Sequence, residues 1–262
     1  MPTKNLPNEP GSWDRDFSYD YLGRLYDALQ ARFRPATLSE VAEPGTGRVF
    51  VRHDIDLSLA RALPLARLEN ARGLRATYHV MLNSPFYDVR TEASRAALAE
   101  LASLGHEVGL HYDVVARRMR EAPAAERDAD IARAAEELES LLGASVRSLS
   151  FHLPIPELVR GPLRVAGRVS GYAKELLGWY LSDSRARWRE GEPIASLDAA
   201  RAPDLQILVH PIWWGERHVA PGQRLAAFLD EVGPGLGKNY AELNELLWEH
   251  VIYQADERST SS

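Results

Sequence analysis

The chain contains no cysteine, which excludes disulfides, thiolate metal sites and a cysteine nucleophile, so any metal must be held by His, Asp or Glu. It also lacks a long hydrophobic run: nowhere do the roughly 18 apolar residues that a membrane-spanning helix needs follow one another. The amino end, Met1 to Pro10, is polar and proline-bearing, without the apolar stretch of a secretory leader. These absences predict a cytoplasmic protein with no membrane insertion. Excess basic charge is missing too. The formal net charge is -6, and phosphate binding needs a basic face, so nucleic acid is not the expected partner.

What remains is an ordinary globular composition. With 262 residues, 45% hydrophobic and 26% charged, the chain can bury one full core. Residues 1–12 and 256–262 carry no hydrophobic periodicity and are expected to be flexible tails around a single domain at 13–255. Tyr19, Leu22, Leu25, Tyr26 and Leu29 recur at helical spacing, predicting an amphipathic helix that ends before Pro35. The turn Glu43-Pro44-Gly45-Thr46-Gly47 then leads into a strand at Val49-Phe50-Val51.

From there strands and helices alternate. Helices are expected at about 58–72, capped by Ser58 and kinked at Pro64, at 91–104 and at 126–142. Strands are expected at 76–80, around Val108 and Leu110, at 146–151, at 179–181 and at 205–209. Helices at about 223–232 and 241–254 close the chain. Repeated strand–helix units predict an α/β fold with parallel strands, either a barrel or a doubly wound sheet.

Polar residues collect where the strand-like runs give out, and in barrel enzymes the chemistry gathers at such strand ends. Asp54 and Asp56 follow the first run, and extended-chain periodicity puts both on one side. A helix cap is the competing role for either carboxylate. His111, His152 and His210 each follow a run in a separate unit. Neutral imidazoles and carboxylates in a three-ligand set with an open position suit a catalytic divalent metal, zinc above all. His106 and Glu107 begin their strand and belong at its opposite end. His79 lies within a strand, and His218 and His250 have no supporting context.

The order of these segments resembles the polysaccharide deacetylases of the NodB-homology fold, the fourth carbohydrate esterase family. The matching segments are Arg52-His53-Asp54-Ile55-Asp56, Ala76-Thr77-Tyr78-His79, Gly105-His106-Glu107-Val108-Gly109-Leu110-His111, Phe151-His152-Leu153-Pro154 and Leu208-Val209-His210-Pro211. The resemblance spans about 48–211 and implies a distorted (β/α) barrel that hydrolyses an N-acetyl group. It further implies Asp54 as catalytic base, Asp56 and His111 as metal ligands, and His210 as the acid that protonates the leaving amine.

This chain departs from the family pattern twice. The usual Thr-Phe-Asp-Asp-Gly is replaced by His-Asp-Ile-Asp, which leaves the base and ligand roles of Asp54 and Asp56 exchangeable. The second histidine of His-x-x-x-His falls at Val115, which cannot bind metal. His152 is the expected substitute, because the related YdjC-like deacetylases draw their two histidines from separate segments; Asp54 or Asp113 is the alternative. Asp183, Arg187 and Trp213 are the expected substrate contacts, the tryptophan as a stacking platform for a sugar face.

The expected function is metal-dependent removal of an N-acetyl group from an amino sugar or related small amide. A cytoplasmic address favours a nucleotide-linked or lipid-linked sugar over a polymer. The alternatives are a barrel metal hydrolase acting on another C–N or phosphoester bond, and a catalytically silent carbohydrate-binding protein on the same fold.

Overall fold

The computed structural model describes residues 13–43, 45–198, 203–253 and 255. In chain order its elements are α1 (Tyr19–Gln30), β1 (Arg34–Ala36), β2 (Arg48–Ile55), α2 (Leu59–Asn70), β3 (Thr77–Val80), α3 (Glu92–Ser103), β4 (Glu107–Asp113), α4 (Ala124–Leu142), β5 (Ser148–His152), β6 (Arg164–Val165), β7 (Arg168–Ser170), β8 (Tyr180–Ser182), α5 (Pro193–Ser196), β9 (Leu205–Val209), α6 (Pro221–Leu236) and α7 (Tyr240–Val251). The expected tails, Pro44 and Gln254 lie outside the described residues.

Local chemistry sets the helix ends. Ser18, Ser58 and Thr91 each accept a backbone N–H from the first turn of α1, α2 and α3, a cap that contributes about 1 kcal/mol. Gly143 ends α4 in the left-handed conformation, which glycine adopts without a Cβ clash. α2 continues through Pro64. The stripe Leu22, Leu25, Tyr26 and Leu29 is fully buried, and each such side chain contributes about 1.5–3 kcal/mol by leaving water.

The sheet runs β6-β7-β5-β4-β3-β2-β9-β8. Among the strand pairs of the described residues, only β6–β7 is antiparallel. β2 is the hub: β9 pairs with Val49 to His53 along one edge, while β1 pairs with Arg48 to Phe50 and β3 with Arg52 to Ile55 along the other. The sheet is curled into a half-barrel. Arg52 Nη1 on β2 and Gln206 Nε2 on β9 both donate to the Gly171 carbonyl at 3.0 Å, although Gly171 follows β7, four strands from β2. Such a span is bridged only across a concave interior. Closure is incomplete, because β6 and β8 end the path without pairing to each other.

Strand alternation then separates two environments. Arg52, Asp54, His79, His111, Ser148, Ser150 and Gln206 face the interior, where they bond one another or Gly171. His53 and Tyr78 face outward and bond the buried Glu69 of α2 at 2.6 Å each. His53 therefore stands apart from the aspartates that flank it. Gly109 keeps this interior open: a Cβ there would sit 2.5 Å from the His79 ring and 2.7 Å from Ser148 Oγ.

β4 extends two residues past His111, to Asp113. β1, β6 and β7 are strands of two or three residues that no periodicity announces. No helix among the described residues is long and apolar enough to cross a membrane.

Candidate metal centre

Asp56 lies one residue beyond β2, on the same interior side as Asp54. His111 on β4 and His152 at the end of β5 converge on it, with His111 Nε2 2.9 Å and His152 Nδ1 3.2 Å from Asp56 Oδ1. One donor atom from each of the three lies within 4.8 Å of the others, and all three residues are buried. His210, just past β9, brings its Nε2 to 3.9 Å from Asp56 Oδ2.

Hydrogen bonds fix which nitrogen of each histidine is free. Ser150 donates its hydroxyl to Asp54 Oδ1 at 2.9 Å, so its oxygen accepts from His111 Nδ1–H at 2.6 Å, leaving the Nε2 lone pair toward Asp56. His152 Nε2 lies 2.7 Å from the His250 carbonyl, which can only accept, so in the neutral ring Nδ1 carries the lone pair. Metal-bound histidines have this arrangement, with the remote nitrogen donating to a fixed acceptor. Two imidazole nitrogens and one carboxylate oxygen, oriented in this way, fit a divalent ion such as zinc.

Asp54 sits one layer deeper. Arg52 donates to it twice, at 3.0 and 2.7 Å, and His79 Nδ1 lies 3.4 Å away. Burial opposes ionisation, yet the Arg52 guanidinium together with His111 and His79 outweighs it and holds the Asp54 carboxyl well below the usual carboxylate range. The same balance holds Asp56 low, with His152 and His111 as the stabilising neighbours.

His210 is controlled by Asp183. The Asp183 carboxylate accepts His210 Nδ1–H at 2.6 Å, the His210 backbone N–H at 3.0 Å and Trp214 Nε1–H at 2.9 Å. Burial pushes the imidazole down, but the charge and hydrogen bond of Asp183, joined by the charges of Asp56 and Asp54, more than reverse this and raise it to about 9. With Nδ1 tied to Asp183, the remaining ring nitrogen, Nε2, faces the centre.

A cavity of about 390 Å³ opens over these residues, lined among others by Asp54, Asp56, His111, His152, His210 and Trp213. Trp213 is buried and its Nε1 has no partner among the described residues, whereas Trp214 is packed inside against Phe17. Asp183 is fully buried and reaches the cavity through His210 rather than by touching a substrate. Arg185 and Arg189 line the wall; Arg187 is not among the lining residues. Val115 is 46% exposed, away from the cavity.

His250, on α7, is the residue that sequence reasoning passed over. Its ring Nε2 donates to the Asp56 carbonyl at 3.1 Å, and burial pushes it down to about 4. Asp113, His152 and His250 form a second set of close donor atoms. One Asp113 oxygen is occupied by the N–H groups of Val115 and Ala116, and neutral His152 has a single lone pair, at Nδ1. His152 therefore serves one set at a time, and Nδ1 lies beside Asp56.

The architecture defines a candidate mononuclear centre of two histidines and one carboxylate on a curled α/β sheet. Neither a protein-family model nor a curated protein sequence matches the chain. Among solved structures, it is similar to a CE4 esterase from Streptococcus mutans, with 14% identity over 82% of this chain and 90% of that one and a TM-score of 0.45. It is also similar to the Streptococcus pyogenes deacetylase PplD, with 10% identity over 50% and 61% of the two chains and a TM-score of 0.40. A CE4 family pseudoenzyme from Bacillus anthracis is a third, with 12% identity over 74% and 63% and a TM-score of 0.42. The matched regions thus span less than two thirds of the length of the latter two proteins.

Proposed function

We propose that this chain is a divalent-metal-dependent hydrolase that removes an N-acetyl group from an amino sugar or a related small amide. The observation that carries this reading is the pairing of a three-donor set, Asp56, His111 and His152, with His210, whose Nδ1 is held by Asp183 and whose Nε2 lies 3.9 Å from Asp56 of that set. Amide hydrolysis needs both an electrophilic centre and a proton donor for the departing nitrogen.

Asp56, His111 and His152 would hold the ion, zinc being favoured by two nitrogens and one oxygen. When bound, such an ion supplies Lewis acidity toward a carbonyl oxygen and a water molecule. Asp54 is ionised and lines the cavity. Among the described residues its Oδ2 takes one hydrogen bond, from Arg52, which leaves a lone pair to receive the proton of an attacking water. His210 donates from Nε2 to the amine nitrogen, and Asp183 steadies the imidazolium in that tautomer. Trp213, on the cavity wall, is the aromatic side chain that would contact the saccharide.

The test is acetate release from a panel of N-acetylated amino sugars by protein loaded with zinc and by protein stripped with chelator. Release that requires metal and disappears in His152→Ala supports the proposal. Metal binding without acetate release from any panel member points to another C–N or phosphoester bond. Failure to bind metal at all points to a silent binding protein.

A further inference from the structure

The two residues most exposed to misplacement in this centre both lie where a β-ladder stops. Asp56 is one residue past the end of β2, and His152 is the last residue of β5, followed by Leu153 in a left-handed conformation at φ 45°. Asp56 has no ladder partner among the described residues, and His152 has only its terminal pairing with Asp113 of β4. The last turn of α7 reaches both of them, from 98 residues beyond His152 and 194 beyond Asp56.

We propose that His250 is a positioning residue for the metal centre, acting on Asp56 and His152 at once; this rests on the metal-site reading above. Its ring Nε2–H donates to the Asp56 carbonyl at 3.1 Å, and its own carbonyl accepts His152 Nε2–H at 2.7 Å. Ser84 Oγ donates to the same Asp56 carbonyl at 2.8 Å, so two side chains replace the missing ladder bonds. The His152 and His250 rings pack with centroids 4.3 Å apart, and Phe86 closes the far side at 5.9 Å. The turn is held in register, because Ile252 caps α7 at φ 53° and Tyr253 packs on Trp213 at 5.3 Å. Because Val251 and Ile252 also line the cavity, the segment that orients the ligands is part of the substrate wall.

An apolar side chain of similar size would fill the same space but leave the Asp56 carbonyl one donor short. A merely structural role predicts that such a residue suffices; a positioning role predicts that the donor is needed. Partners of this kind typically change metal affinity about 10- to 100-fold when removed.

The experiment compares full-length wild type, His250→Leu and His250→Gln for zinc affinity, by competition with a chromophoric chelator, and for the visible spectrum of the cobalt-loaded form. His250→Leu should bind zinc about 10- to 100-fold more weakly with an altered cobalt spectrum, and His250→Gln should recover most of the affinity. Equal affinity and an unchanged spectrum in His250→Leu would overturn the proposal. A control His152→Ala that keeps full affinity would overturn the metal-site reading itself. Nitrogen NMR of the wild-type protein needs no variant: His250 should be neutral with its proton on Nε2, and a proton on Nδ1 alone contradicts the proposal.

Discussion

Asp183 grips His210 at two points, taking the ring Nδ1–H at 2.6 Å and the backbone N–H at 3.0 Å. Tautomer, ring orientation and charge are therefore set by one buried carboxylate, itself anchored by Trp214. The imidazole is raised to about 9 from an unfolded value near 6.5. Stability from this pair is fully present below that unfolded value and is lost as pH rises through about 9.

The pH–rate profile should follow. With His210 as the acid, kcat falls on the alkaline side near the pH at which His210 loses its proton. Asp183→Asn removes the charge that opposes burial, so the alkaline limb should move to lower pH, with kcat at pH 8 reduced about 100-fold. A limb that stays in place in this variant means that His210 is not the acid.

Asp54→Asn separates two roles for the deeper carboxylate. If Asp54 receives the proton, kcat falls by about 10²- to 10⁴-fold while zinc affinity is nearly retained. Loss of zinc together with activity would instead show that Asp54 acts through Ser150 and His111.

Restoring the familiar His-x-x-x-His spacing should achieve nothing. Val115 is 46% exposed and does not line the cavity, so Val115→His should leave zinc affinity unchanged, measured by chelator competition, and should not rescue His152→Ala. A rescue would place the ion elsewhere.

The cluster behind the sheet concerns folding. Burial opposes the charge on Glu69, but His53 together with His106 and Tyr26 outweighs it and holds the carboxyl low. Its stability contribution is present above the unfolded carboxylate value and fades as pH falls through the lowered folded one. Glu69→Ala strands His53 and Tyr78 and should lower unfolding stability by about 3–5 kcal/mol, read by urea denaturation, without changing KM in the protein that remains folded. A KM change would tie this cluster to the substrate cavity.

How far sequence could reach is seen residue by residue. The two-residue period of β2 placed Asp54 and Asp56 on one face, and the same rule sends His53 to the other. His111, His152 and His210 were legible because each closes an apolar run. β1, β6 and β7 were not, since two or three residues cannot display a period. Asp183 showed only as a polar residue after a strand; its hold on His210 depends on β8 pairing with β9. His250 gave no local signal, because its role comes from packing the chain's last helix against strand ends almost 100 and 200 residues earlier.

The most direct test of the account is a crystal structure of the zinc-loaded protein with anomalous scattering at the zinc edge. The account predicts one ion at about 2.0–2.2 Å from Asp56 oxygen, His111 Nε2 and His152 Nδ1, with His210 nearby but not bound. An ion on Asp113 and His250, or no ion at full zinc loading, would contradict it.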